Sequence, residues 1–139
     1  MTAGEYGFPK HVLNGKGFHD GPDAFPELDT VEVWELENNT MHTHSIHLHL
    51  VQFRVVERGP DGTEDPLPNE RGGKDTVRVN PGETVRIAVR FEDNTGQFPC
   101  HCHILEHEDH EMMRPFKVVD SDGGNGKGNG NGNGRGNGR

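Results

Sequence analysis

In residues 98–118, FPCHCHILEHEDHEMMRPFKV, one cysteine stands between two histidines, ahead of a loop rich in metal-binding side chains. Residues 97–104 predict a strand that enters a turn, 105–113 a loop or short helix, and 115–119 a closing strand. A second histidine cluster, HSIHLH, occupies residues 44–49. The chain has ten histidines, and their clustering at ligand spacing is its main functional signal.

Alternation along extended strands sorts these donors onto two faces. His47 and His49 share one face, while His44, an odd number of residues earlier, tends to point to the other. In the second cluster, the histidines on either side of Cys102 project opposite to it. We therefore expect Cys102 to join His44, and four histidines to gather on the opposite side: His47, His49, His101 and His103.

Each face predicts a different metal chemistry. A thiolate, two imidazoles and a nearby thioether suit a blue copper centre, and one set supplies these donors: His44, Cys102, His107 and Met112. The four histidines opposite form an imidazole-rich half site fit for copper and oxygen chemistry. The alternatives are a buried structural cysteine on one face, and histidines that bind nothing or bind zinc on the other.

The rest of the chain predicts short strands separated by turns. The alternation in Thr30–Glu37 predicts a half-buried strand with a bulge where the parity of its apolar residues slips. Residues 45–56 predict one long strand, 75–79 and Thr84–Phe91 two more, and 66–73 a polar surface loop. The opening segment of about 30 residues predicts extended chain with turns. This pattern is typical of an all-β sandwich or barrel.

Composition sets the limits on domains and partners. We expect a single domain over residues 1–120, followed by a Gly/Asn-rich tail at 121–139 that is disordered because it has almost no apolar area to bury. The net charge of −9 disfavours nucleic-acid binding. No segment predicts a membrane span or an export signal, so we expect a soluble chain. Cys100 and Cys102 are too close on one strand face for an unstrained disulfide.

Both histidine clusters resemble copper-binding signatures of one enzyme family. Residues 44–49 and 101–112 are similar to the two signatures in the last domain of laccase-like multicopper oxidases. Shorter stretches, EYG at 5–7, LNGK at 13–16, KDT at 74–76 and MRP at 113–115, resemble the spore-coat laccase and bilirubin oxidase group. The resemblance covers about residues 5 to 119.

This resemblance implies a cupredoxin-like Greek-key β-sandwich or barrel that lacks an initial strand. It also implies a type-1 copper held by His44, Cys102, His107 and Met112. His47 then matches a type-2 ligand, and three residues match type-3 ligands: His49, His101 and His103. Glu108 is a candidate proton relay near the cluster, with a solvated acid as the alternative, and the remaining histidines are expected on the surface: His11, His19, His42 and His110.

Two substitutions and the chain length depart from the family pattern. Ser45 stands where the family usually has proline, and Cys100 where an aromatic residue usually precedes the His-Cys-His triplet. In the family, a first domain supplies four more histidines to the trinuclear cluster, and this chain has no second pair of clusters to replace them. A complete cluster would therefore need self-association or another chain.

The resemblance implies an oxidase module. The type-1 copper would accept single electrons from a small-molecule or metal-ion reductant near His107, and Cys102 would pass them through His101 and His103 to a copper cluster that reduces dioxygen to water. The alternatives are a mononuclear blue copper electron carrier without oxygen chemistry, or an inactive fragment of a longer oxidase.

Overall fold

The computed structural model describes residues 2–3, 9–10, 14, 18–104 and 112–120. The described part is built of β-strands with two short 3-10 helices, Phe18–Asp20 and Pro68–Glu70. The strands are β1 (Thr2–Ala3), β2 (Pro9–Lys10), β3 (Thr30–Glu37), β4 (His44–Leu48), β5 (Phe53–Glu57), β6 (Thr76–Val79), β7 (Thr84–Phe91), β8 (Gly96–Cys102) and β9 (Met113–Val118).

The strands form antiparallel sheets that pack as a sandwich. One sheet has the order β3-β7-β5, the other β6-β4-β8-β9, and β1 pairs with β2. Aromatic side chains of both sheets meet in the core, where the Phe116 ring lies 5.6 Å from Trp34 and 5.9 Å from Phe91. The all-β fold expected from the sequence is therefore confirmed.

Strand β3 differs from its prediction. It pairs with β7 in continuous register from Thr30↔Phe91 to Glu37↔Thr84, so the expected bulge is wrong. The apolar residues on either side of the parity change instead lie on different faces of the strand. Val31 and Val33 are exposed, while Trp34 packs against the core. An unbroken ladder keeps the backbone groups of β3 that face β7 paired, and single exposed valines are common on protein surfaces.

The single long strand expected at residues 45–56 is also wrong, because the chain changes sheets there. β4 ends at Leu48, β5 begins at Phe53, and the two strands belong to different sheets. Leu50, between them, has a φ of +75°, a conformation that non-glycine residues rarely adopt. The β-rich composition of the run indicated strands but could not reveal this crossover.

The other predicted elements agree with the structure to within a few residues. β7 has its predicted bounds, and the predicted loop at 66–73 contains the 3-10 turn Pro68–Glu70. The turn after β5 uses Gly59 with a φ of +99°, where an added Cβ would lie 2.6 Å from the Glu64 side chain.

Within the described residues, no helix has the length and apolar character of a membrane span. The predictions for residues 105–111 and for the tail at 121–139 concern residues outside the described part.

A buried ion network joins the loops beside β5, β6 and β7. Both Arg58 and Glu83 are buried, and the guanidinium donates from Nε and Nη2 to the two carboxylate oxygens at 2.7 and 2.9 Å. Arg58 also donates to Glu70 and to the carbonyl of Arg78, and Glu83 accepts the N–H of Asn80. This network satisfies buried charges that would otherwise destabilise the fold.

Candidate metal centre

His44 and Cys102 meet on the inner face of the β6-β4-β8-β9 sheet. Strands β4 and β8 pair antiparallel, with Ile46 opposite Cys102. Both His44 and Cys102 are buried, and His44 Nδ1 lies 3.6 Å from Cys102 Sγ. Metal bonds of about 2.0 Å to nitrogen and 2.3 Å to sulfur in tetrahedral geometry would separate these atoms by about 3.5 Å. The observed pair therefore fits one metal ion without rearrangement.

Met112 lies beside this pair. Its carbonyl accepts the N–H of Cys102 at 3.0 Å, and its side chain is buried. Met112 and His44 both line a cavity of about 740 Å³. Three of the four donors expected for the thiolate centre thus occupy one region, and the fourth, His107, lies outside the described residues.

Imidazoles gather on the opposite face of the same sheet. One ring nitrogen from each of three histidines, His47, His49 and His101, lies within 4.8 Å of the others. His49 Nε2 and His101 Nε2 are 3.0 Å apart, a separation close to that of two ligands on one ion with metal–nitrogen bonds of about 2 Å. The ring of His103 lies 5.5 Å from that of His101 and 5.7 Å from that of His47. The predicted sorting of donors by strand parity is therefore observed.

Hydrogen bonds to carbonyl groups orient two of these imidazoles. His47 Nδ1 lies 2.9 Å from the carbonyl of Asp75, and His101 Nδ1 lies 3.2 Å from the carbonyl of Cys102. Because a carbonyl only accepts, each neutral ring carries its proton on Nδ1 and its lone pair on Nε2. Such outer contacts typically set the tautomer of metal-binding histidines. Nothing in the residue pattern indicates the Asp75 contact, because it depends on the register between β4 and β6.

The second cysteine differs from Cys102 in its surroundings. Burial raises the pKa of the Cys100 thiol to about 12, so it stays neutral at ordinary pH. Both cysteines are free thiols, as their spacing predicted. Cys100 lines the same cavity as His44 and Met112 but lacks the ionised form that binds metal most strongly.

The remaining candidate residues fall into two groups. His19 and His42 are exposed, as expected for surface histidines. His11, His110 and Glu108 lie outside the described residues, so their roles stay predictions. A contact that sequence analysis missed is the 2.7 Å hydrogen bond between Thr40 Oγ1 and His44 Nε2.

A β-sandwich with thiol, imidazole and thioether donors on the inner face of one sheet and imidazoles on its outer face has the features of a cupredoxin-like copper protein. Comparison with known families makes this more specific. The family model of the multicopper oxidases matches residues 1–122, and the chain belongs to this family.

Individual relatives agree with this placement. A laccase of Haloferax volcanii is 60% identical over 122 residues, which cover 85% of this chain and 21% of that protein. A laccase of Bacillus subtilis is 42% identical, with 86% of this chain and 26% of that protein covered. A crystal structure of a multicopper oxidase from Pediococcus acidilactici matches with a TM-score of 0.72 and 41% identity, over 80% of this chain and 24% of that one. The chain spans about a fifth to a quarter of the length of these relatives.

Proposed function

We propose that this chain is a copper-binding oxidoreductase module in which electrons from a small-molecule or metal-ion reductant enter at the His44–Cys102 face and leave at the histidine cluster toward dioxygen. The observation that carries this proposal is the position of the two donor sets on opposite faces of one strand, at the consecutive residues His101 and Cys102. Copper bound at these faces would supply one-electron redox chemistry and oxygen activation.

The inner face suits a redox centre because it is sheltered. Cys102 is fully buried and His44 is 2% exposed, so water has little access to the sulfur. A thiolate in an apolar site, with a soft thioether such as Met112 nearby, is the combination that sets the potential of blue copper sites. The proposed ligand set is therefore His44, Cys102 and Met112, with His107 as the fourth member.

A short covalent path joins the two faces. The peptide bond between His101 and Cys102 links a ring on the outer face to a sulfur on the inner face. The contact between His101 Nδ1 and the carbonyl of Cys102 adds a hydrogen-bonded link at 3.2 Å. We propose that electrons cross the sheet along this path.

The outer cluster is open on one side. His49 and His103 are exposed, although His101 beside them is buried. A second copy of the chain, or another chain with its own histidines, could approach this open side and complete the cluster. Two copies would bring eight histidines together, the number that the family resemblance implies.

Measuring copper per chain, solution mass and oxygen uptake on one preparation tests this proposal. We expect an intense blue absorption and more than one copper per chain. Oxygen uptake with a suitable reductant is expected in fractions whose solution mass corresponds to two or more associated chains. A single blue copper per chain without oxygen uptake would indicate the electron carrier instead. His49→Ala should reduce copper content and oxygen uptake, while the matched control His42→Ala, at an exposed histidine outside the cluster, should change neither.

A further inference from the structure

We propose that Thr40, together with Asn38, is a positioning pair that holds His44 in the one neutral tautomer able to bind metal through Nδ1. This inference rests on the proposed function, because it assigns these residues a role toward the metal at the inner face. Neither residue belongs to the donor sets.

Asn38 follows β3 and is 5% exposed. Its Nδ2 donates to the carbonyl of Val79 at 3.0 Å and to the carbonyl of His42 at 2.7 Å. Since both partners only accept, the amide cannot be reversed without losing two hydrogen bonds. Asn38 Oδ1 is therefore directed at Thr40, from which it receives the backbone N–H at 2.9 Å.

The hydroxyl of Thr40 has one proton to donate. Its Oγ1 lies 2.7 Å from Asn38 Oδ1 and 3.2 Å from the carbonyl of His42, and both of these atoms only accept. The hydroxyl proton is therefore donated to one of these two acceptors and not to His44. Toward His44 Nε2, at 2.7 Å, Oγ1 acts as the acceptor, and Nε2 carries the ring proton.

This arrangement determines which nitrogen meets the metal. A neutral imidazole with its proton on Nε2 has its lone pair on Nδ1. In His44 that nitrogen lies 3.6 Å from Cys102 Sγ, on the side of the expected metal. The ring is thus oriented in advance, since Thr40 holds one edge and the other is directed at the sulfur.

The first test needs no metal. Long-range proton–nitrogen NMR of the metal-free full chain distinguishes the two neutral tautomers of His44. We expect the Nε2–H form alone in the natural protein and in Thr40→Ser, which keeps the hydroxyl. An Nδ1–H form in the natural protein would overturn the inference, whatever the variants do.

The second test measures copper affinity by competition with a chelator and the visible spectrum of the loaded protein. Loss of an outer contact to a metal-binding histidine typically weakens affinity about 10- to 100-fold. We expect such a loss, with a changed spectrum, in the isosteric variant Thr40→Val and recovery in Thr40→Ser. Thr43→Val is the matched control, because Thr43 is exposed and its hydroxyl bonds Asn80 at 3.3 Å.

The outcomes separate this inference from the proposed function. If the natural protein binds copper without a blue absorption, the proposed thiolate centre is wrong, and the tautomer measurement still decides the role of Thr40. If the natural protein is blue and Thr40→Val has the same affinity and spectrum, the positioning role is wrong and the proposed function stands.

Discussion

The ion network around Arg58 and Glu83 allows a quantitative prediction for Glu83→Gln. Glutamine keeps the volume of Glu83 but removes the charge that receives two hydrogen bonds from Arg58, at 2.7 and 2.9 Å. Breaking a buried ion pair costs about 3–5 kcal/mol. Since Glu70 still pairs with Arg58 in the variant, we expect the lower end, about 3 kcal/mol.

Urea unfolding followed by circular dichroism measures this loss. With a slope of about 2 kcal/mol per molar urea, a loss of about 3 kcal/mol lowers the unfolding midpoint by about 1.5 M. The matched control is Glu35→Gln, which removes an exposed carboxylate that pairs with Arg86 at 2.9 Å and should leave the midpoint nearly unchanged. A loss below about 1 kcal/mol in Glu83→Gln would refute the assigned energy of the buried pair.

The same pair predicts a pH dependence. Hydrogen bonds from Arg58 lower the pKa of Glu83 below its usual value. Its contribution to stability is therefore complete above the unfolded pKa, about 4.3, and is lost as pH falls through the lower pKa of the folded state. We expect the stability difference between the natural protein and Glu83→Gln to shrink on acidification below about pH 4. A constant difference down to pH 2 would contradict the linkage.

Three further predictions concern the two faces of β8. Cys102→Ser should abolish the blue absorption of the copper-loaded chain, whereas the matched variant Cys100→Ser should keep it. His101→Ala should retain the blue colour and lose only oxygen uptake, and bleaching as complete as in Cys102→Ser would show that the two faces are wrongly assigned. Because burial raises the pKa of the Cys100 thiol to about 12, this thiol stays neutral at pH 8, so alkylation of Cys100 itself, located by mass spectrometry of its peptide, should be negligible in the folded chain until urea unfolds it.

Much of the candidate site could be predicted from strand parity. Side chains alternate along any extended backbone, so Cys102 had to point away from His101, and His44 away from His47. The 3.6 Å contact between His44 and Cys102 and the histidine cluster behind it confirm this sorting. β7 was predicted with its bounds because its apolar residues alternate without interruption.

Other features depended on partners that the sequence does not reveal. The run at residues 45–56 has β-forming composition throughout, yet it divides after Leu48 because its two halves join different sheets. The parity slip in β3 predicted a bulge, but pairing with β7 keeps the register continuous. Composition indicates that a segment is extended, while the choice of neighbour depends on packing of the whole sandwich.

The sequence by itself determined which donors exist and on which side of a strand each one lies, because both follow from residue identity and the two-residue period of an extended chain. Only the tertiary structure decided how the rings are held. Asn38 bonds a carbonyl 41 residues away, and His47 bonds one 28 residues away. Contacts of that range depend on strand register, which is fixed only when both sheets have packed around their common core.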